Sequence, residues 1–308
     1  MRVGFIGLGT MGSSMALNLR AAGYDIVVND IRREAGSAHL QAGASWADSA
    51  RKVAEAADVV FTSLPGPREV EQVALAEDGL LAGMRRETAW FDLSTNSPTV
   101  VRRLHDLFNA KDVAMLDSPV SGGPAGARSG KLALWVSGDE TVFNRHKPVL
   151  DAIGDQATYV GPIGAGTVAK LVHNTAGYAI LAALAEVFTL GVKAGVEPLP
   201  LWQAIRQGAF GRRRTFDRLA EQFLPGQFDP AAFALKLAHK DITLATELGR
   251  ELNVPLRIAS LVHEELTEAL NRGWAERDSR IFMLLQEERA GVNIAVPAEK
   301  IQEALARG

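Results

Sequence analysis

The 308-residue sequence predicts an α/β domain built on a mostly parallel sheet, followed by an all-α domain. Three observations predict it. Short apolar runs, each closed by a glycine-, proline- or serine-rich turn, alternate with helical patterns through the first half. Strand signals nearly vanish after Pro162. One long apolar helical pattern and several shorter ones then follow. The length allows two domains, expected as residues 1–161 and 162–308 with the boundary near Gly161.

Composition narrows the classes of function. A hydrophobic content of 47% with 22% charged residues is that of an ordinary globular protein. The net charge of −3, with no basic stripe, argues against a nucleic-acid partner. Arg212-Arg213-Arg214 is the densest basic run and is too short for a duplex-binding surface. The absence of cysteine excludes disulfides, iron–sulfur clusters and thiolate zinc sites. The histidines are scattered without metal-ligand spacing. Met1-Arg2 leads straight into an apolar strand, so no secretory signal is expected. The most apolar run, residues 175–192, contains Glu186 and lies between His173 and Lys193, so a buried core helix is expected rather than a membrane span. These readings point to a cytoplasmic protein.

The first apolar run, residues 3–6, ends in Gly7-Leu8-Gly9-Thr10-Met11-Gly12, and a helical pattern follows through Met15, Leu17, Leu19 and Ala22. G-x-G-x-x-G between a strand and a helix is a dinucleotide-binding signature. Gly7 permits the tight turn, Gly9 lets a pyrophosphate approach the backbone, and Gly12 lets helix and strand pack closely. The helix N-terminus then offers unpaired N–H groups to the phosphates. The first domain is therefore expected to be Rossmann-type. A second run, residues 25–29, ends at Asn29-Asp30, where an acid accepts ribose hydroxyls and repels a 2′-phosphate. NAD is expected, while Arg32-Arg33 just beyond keeps NADP possible.

Further runs at residues 58–62, 89–93, 113–116, 132–136 and 158–160 complete a sheet of about seven strands. Leu64-Pro65, Ser94-Thr95-Asn96 and the segment from Ser118 to Gly123 follow three of them, where an open α/β sheet binds its ligand. Ser121 is not in a nucleophile elbow, and no histidine is placed to activate it, which rejects a hydrolase. Gly122-Gly123 offers backbone N–H groups that, with the Ser121 hydroxyl, suit a substrate carboxylate. A plain glycine turn is the competing reading.

The stretch Gly164-Ala165-Gly166-Thr167-Val168-Ala169-Lys170-Leu171-Val172-His173-Asn174 opens the longest helix, expected over residues 167–195 and roughly 40 Å long. Lys170 and Asn174 fall on one face, one turn apart. Lysine is rarely inside unless it is paired or functional. A helix N-terminus and desolvation both disfavour the ammonium form, which suits a group that must take and give a proton. A helix apolar on most faces needs cover from other helices or from a second subunit. Helical patterns at residues 199–208, 215–223, 230–252, 258–271 and 280–290 complete the domain, and a tail with a short helical stretch follows. His239-Lys240-Asp241-Ile242 lies inside one of them, where a solvated Lys–Asp pair is the plain reading.

In this order, Gly7 to Gly12, Asp117-Ser118-Pro119-Val120-Ser121-Gly122-Gly123, Gly164 to Asn174 and Lys240-Asp241 resemble the β-hydroxyacid dehydrogenases. These include 3-hydroxyisobutyrate dehydrogenase and tartronate semialdehyde reductase, with 6-phosphogluconate dehydrogenase as a larger relative. The resemblance covers nearly the whole chain. It implies a long interdomain helix, a homodimer or homotetramer, and NAD(P)-dependent oxidation of a small hydroxy acid or reduction of its semialdehyde. It also implies that Lys170 is the catalytic acid/base, that Asn174 binds substrate, and that Ser121, Gly122 and Gly123 hold the carboxylate. Leu64, Pro65, Thr95 and Lys240 match positions lining the cofactor or the active-site mouth, and Asp30 matches the NAD-type members. Residues 209–216 fall where relatives contact the variable end of the substrate. Arg212, Arg213 and Arg214 make this segment more basic than the family pattern; at least one is expected to meet a second anionic group or several hydroxyls of the substrate, and three solvated arginines are the competing reading. Imine reductases and catalytically silent NAD-binding scaffolds resemble the chain too, but generally lack the lysine at position 170.

Overall fold

The apolar runs of the first half are strands because β-branched and aromatic residues fill them, with both faces covered. They are β1 (Arg2–Ile6), β2 (Asp25–Asn29), β3 (Ser45–Trp46), β4 (Val59–Thr62), β5 (Ala89–Asp92), β6 (Ala114–Asp117), β7 (Val120–Ser121), β8 (Ala133–Ser137) and β9 (Gln156–Gly161). The computed structural model describes residues 1–306 except 209, 210, 212–215, 252 and 254, and of residues 186, 187, 190, 216, 217 and 304 it describes the backbone alone. The chain divides into two compact units, Met1–Val172 and His173–Gly308.

In the first unit the strands run in the order β3-β2-β1-β4-β5-β6-β8-β7, with β9 on the other side of β8. Pairing is parallel from β3 to β6, and β8 is antiparallel to β6 and β7 but parallel to β9. The chain leaves β1 for β2 on one side and returns to β4 on the other. The carboxyl ends of β1 and β4 therefore flank the switch point at which such sheets bind ligands. Phe5, Phe61 and Phe91 lie in register on adjacent strands and stack at 6.3 and 5.3 Å between centroids. Trp90, next to Phe91 in sequence, points to the opposite face and packs on Phe108 at 4.8 Å. Alternating side chains thus build an apolar layer on each side of the sheet. The strands β3 and β7 go beyond the seven expected; two residues are too few to carry a period in the sequence.

The second unit is helical among the described residues, apart from an isolated bridge between Ala234 and Asp278. Trp202, Phe223, Leu235, Ile242, Val262, Leu266 and Ile281 are buried in its core. Three expected helices are corrected, two of them because of Asp278. Its carboxylate accepts the N–H groups of Ala232 (3.0 Å) and Phe233 (3.3 Å), so the helix expected from Pro230 starts only at Leu235 and spans Leu235–Glu251. The same carboxylate accepts from the Arg280 N–H at 3.1 Å and starts a 3₁₀ turn, Ser279–Met283, ahead of the helix Leu284–Ala290. Residues 216–220 likewise form a 3₁₀ turn.

The helix Ala165–Lys193 contributes its first two turns to the first unit and the remainder to the second. Its segment Ala165–Ala185 is long and apolar enough, by length and composition, to cross a membrane. Only 28% of that window is buried within the chain, with Val172 62% and Ile180 41% exposed. Farther along, Leu181, Ala182, Leu184, Ala185 and Phe188 are buried in the core of the second unit, as expected for the later part of the run at residues 175–192.

Helices Leu235–Glu251 and Arg257–Asn271 are pinned by a reciprocal pair of histidines. The Thr243 and Thr267 hydroxyls donate to the carbonyls of His239 and His263, one turn back on their own helices. Their oxygens therefore accept from the Nε2–H of His263 and His239 respectively, at 3.0 Å each, with the rings 4.5 Å apart. Burial, and then the neighbouring His263, push the His239 pKa below its ordinary value. The unfolded chain therefore binds more protons than the native state as pH falls through the ordinary histidine range, and stability falls with it. Urea midpoints at pH 7.5 and 5.5 are expected to differ less in His239→Gln than in the wild type. An unchanged difference would remove His239 from the pH response.

Candidate active site

The glycine loop leaves β1 at Gly7, whose φ of +93° suits glycine and whose N–H donates to the Asn29 carbonyl at 3.0 Å. A Cβ on Gly7 would meet the Ser63 carbonyl oxygen at 2.3 Å, and one on Gly12 would meet the Gly7 carbonyl oxygen at 1.9 Å. Both glycines are therefore required by the protein's own backbone. Gly9 differs: a Cβ there meets nothing within 4 Å, and its φ lies outside the left-handed region. The open space at Gly9, with Thr10 exposed beside it at the entry to the helix Gly12–Ala21, is a cradle that fits a dinucleotide pyrophosphate. Leu8 is buried, and Met11 is the N-cap residue of that helix.

Asp30, at the end of β2, is tied into the same loop. Its Oδ2 accepts the Leu8 N–H at 2.7 Å, and its Oδ1 accepts the Arg32 N–H at 2.9 Å. A carboxylate has about four acceptor positions, so two remain for ribose hydroxyls. Arg33 is drawn elsewhere, stacked over Trp46 at 5.1 Å and 3.5 Å from Asp48. The Asn29 amide donates to the Ala47 carbonyl at 2.8 Å and braces the loop after β2.

Leu64 and Thr95 are positioned by a network that the sequence did not announce. Asp92 is fully buried, and its Oδ1 accepts from the Thr62 hydroxyl (2.9 Å) and the Ser94 N–H (3.1 Å), while Oδ2 accepts from the Asn96 amide (2.9 Å). The Ser94 hydroxyl accepts the Leu64 N–H at 2.9 Å. Burial raises the Asp92 pKa, against the lowering by Ser94, Asn96 and Thr62. The loops carrying Leu64 with exposed Pro65, and Thr95, are thus held to one carboxylate at the carboxyl ends of β4 and β5. A charged residue closing the buried run Ala89-Trp90-Phe91 was the available signal.

Ser121 ends β7, opposite Ala133 of β8. Gly122 and Gly123 follow at φ +134° and +61°, both exposed. A Cβ on Gly123 would meet nothing within 4 Å, so this backbone too is open to a ligand. Half-buried Lys170 stands in the second turn of the helix Ala165–Lys193, and Asn174 follows one turn later on the same helix. The bare positive helix end expected near Lys170 is absent, because a buried carboxylate, Asp117, already accepts first-turn N–H groups.

In the second unit the Asn174 amide donates to Asp241 Oδ2 at 2.6 Å, and Lys240 Nζ lies 3.0 Å from Asp241 Oδ1. Asp241 is 2% exposed. It is a partnered buried acid rather than half of a solvated pair, and it fixes the amide of Asn174 with its nitrogen on the carboxylate. Helical periodicity placed Lys240 and Asp241 on a helix, but only the packing reveals Asn174 as a partner of Asp241. Tyr178, one further turn along from Asn174, is held with its phenol pKa raised by burial. Arg212, Arg213 and Arg214 lie outside the described residues.

The model for the NAD binding domain of 6-phosphogluconate dehydrogenase matches residues 2–161. The model described as NAD-binding of NADP-dependent 3-hydroxyisobutyrate dehydrogenase matches residues 164–285. A 2-(hydroxymethyl)glutarate dehydrogenase of Eubacterium barkeri is 34% identical over 295 residues, covering 96% of this chain and 98% of its own. An NAD-dependent L-serine dehydrogenase of Pseudomonas aeruginosa is 35% identical over 295 residues, covering 94% and 99%. Among solved structures, the Mycobacterium tuberculosis 3-hydroxyisobutyrate dehydrogenase with L-serine superposes with a TM-score of 0.82 at 29% identity, covering 92% of this chain and 98% of that one. With the glycine cradle, the parallel sheet and the helical second unit, these matches place the chain in the β-hydroxyacid dehydrogenase family as an NAD(P)-dependent oxidoreductase.

Proposed function

We propose that the chain interconverts a small β-hydroxy acid and its semialdehyde, with Lys170 as the group that moves the proton. The observation that carries this reading is the Lys170–Asn174 pair on one helix, with the asparagine amide locked by Asp241 at 2.6 Å. Ser121, Gly122 and Gly123 take the substrate carboxylate through backbone N–H groups and the hydroxyl. Asn174 holds the substrate through the end of its amide not used by Asp241. Lys170, as the neutral amine, takes the hydroxyl proton in oxidation; as the ammonium, it returns the proton in reduction. Bound NAD(P) supplies the hydride acceptor or donor. The Gly7–Gly12 loop and Asp30 hold the dinucleotide, Leu64, Pro65 and Thr95 line it, and Lys240 stands at the site mouth. The apolar positions Val172 and Ile180, exposed on the long helix, support a homodimer or homotetramer. A cytoplasmic location and the division into residues 1–161 and 162–308 belong to the same reading.

The test is a panel of acids with NAD⁺ or NADP⁺, followed at the nicotinamide absorbance band: 3-hydroxyisobutyrate, serine, threonate and 2-(hydroxymethyl)glutarate. Tartronate semialdehyde and 3-sulfolactaldehyde with NADH cover the reverse direction. Better turnover of compounds bearing a second anionic group supports a role for the arginines at 212–214. Turnover of cyclic imines alone would favour the imine reductase reading, and NADH binding without turnover of any compound would favour a silent scaffold.

Asp30 at the end of β2 supports NAD as the preferred cofactor. Seating a 2′-phosphate against a carboxylate costs several kcal/mol, so kcat/KM is expected to favour NAD⁺ by about tenfold or more. Equal or better use of NADP⁺ would refute this. Because Asp30 also holds the Leu8 N–H, Asp30→Arg should weaken both cofactors while moving the preference toward NADP.

A further inference from the structure

The first turn of a helix leaves four N–H groups without partners in the helix itself. In the helix that carries Lys170 they are accounted for by an unusual arrangement. The N–H of Gly164 donates to Asp117 Oδ1 at 2.8 Å, and that of Ala165 to the Pro162 carbonyl at 3.0 Å. The N–H of Gly166 donates to the Ser137 hydroxyl at 2.9 Å, and that of Thr167 to Asp117 Oδ2 at 2.6 Å. The Thr167 hydroxyl adds a second donor to Oδ2 at 2.8 Å, and the Ser137 hydroxyl donates to Oδ1. Four donors converge on one carboxylate, which matches the acceptor capacity of its ionised form. Asp117, Ser137 and Thr167 are each at most 1% exposed.

The fit is tight as well as polar. A Cβ on Gly166 would come within 2.2 Å of the Trp135 carbonyl oxygen, so the helix start lies directly on the backbone of β8. Asp117 is also the last residue of β6, four positions before Ser121. One carboxylate therefore joins the strand leading to the Ser121-Gly122-Gly123 segment to the turn immediately preceding Lys170. All these residues belong to the first compact unit.

We propose that Asp117 is a positioning residue: by clamping the first turn of this helix through Gly164 and Thr167, it sets Lys170 relative to the segment that holds the substrate carboxylate. This rests on the reading of Lys170 as the proton-transfer group. A misplacement of about 1 Å can cost on the order of 10²-fold in rate, so Asp117→Asn has a defined consequence. In either orientation of the new amide its NH₂ confronts a backbone N–H, of Gly164 or of Thr167, that cannot turn away.

The experiment compares Asp117→Asn, Thr167→Val, Thr167→Ser, Lys170→Ala and the double variant Asp117→Asn with Lys170→Ala. Each is measured for kcat on the best substrate of the panel, for NADH affinity by fluorescence, and for Tm. Asp117→Asn is expected to lose on the order of 10²-fold in kcat, and Thr167→Val about 3–10-fold, with NADH affinity unchanged. Thr167→Ser keeps both donors and should stay within about twofold of wild type. The double variant should be no slower than Lys170→Ala alone, because residues acting as a unit are not additive. A purely structural role would instead lower kcat by the same factor in both backgrounds. If Asp117→Asn fails to fold, the Thr167 pair decides: equal kcat in Val and Ser overturns the proposal. If Lys170→Ala is crippled while Asp117→Asn and Thr167→Val retain wild-type kcat, only this inference falls. If Lys170→Ala keeps its activity, the reading of Lys170 falls first and this inference with it.

Discussion

Lys170→Ala is expected to lower kcat by about 10²–10⁴-fold, the usual worth of a positioned general acid or base. The same factor should appear in oxidation and in reduction, since one group takes the proton in one direction and returns it in the other. NADH affinity and Tm should remain close to wild type, because Gly164 and Thr167 clamp the helix start to Asp117 and the backbone of Gly7–Gly12 shapes the loop. Lys170→Arg should not restore activity, because a guanidinium keeps its proton at working pH and cannot act as the base. A Lys170→Ala enzyme keeping more than about a tenth of wild-type kcat, a loss of under 1.4 kcal/mol in barrier terms, would sink the assignment.

Gly9→Ala and Gly12→Ala are expected to fail in opposite ways. At Gly9 an added methyl meets open space and needs no unusual φ, so Tm should hold. The space it fills is where the backbone must approach a pyrophosphate. Loss of one charge-assisted hydrogen bond there weakens NADH binding on the order of 10–150-fold. At Gly12 the methyl would sit 1.9 Å from the Gly7 carbonyl oxygen, a backbone atom held by the turn. Overpacking of that kind costs about 1–3 kcal/mol or more, read as a Tm lowered by several degrees. Fluorescence titration with NADH and thermal melts separate the two. A Gly9→Ala protein that binds NADH as wild type would show that this opening is not the phosphate cradle.

The parallel sheet, the glycine turn and the helical second half were legible in the sequence because each rests on local chemistry. Alternating apolar runs specify strands with two covered faces, and glycine placement specifies a turn wherever a Cβ would strike backbone. Lys170 and Asn174 could be set on one face of one helix from their spacing alone. The reach of Asp278, which delays one helix to Leu235 and turns the start of another into a 3₁₀ turn, could not be read this way. Its partners lie more than forty positions away on one side and two on the other, and periodicity carries no record of such a bond.

The same limit applies to the site. The sequence by itself determined that a lysine, an amide one turn on along the same helix and a glycine-rich segment are present and in what order, and the proposed site is built from these residues. Only the tertiary structure decided what holds them. Asp92 fixes the loops of Leu64 and Thr95, Asp117 clamps the turn before Lys170, and Asp241 orients Asn174. Each is a carboxylate whose distant partners a linear reading does not show. Each becomes structural when folding removes it from water and leaves the donors of distant segments as the groups able to satisfy it.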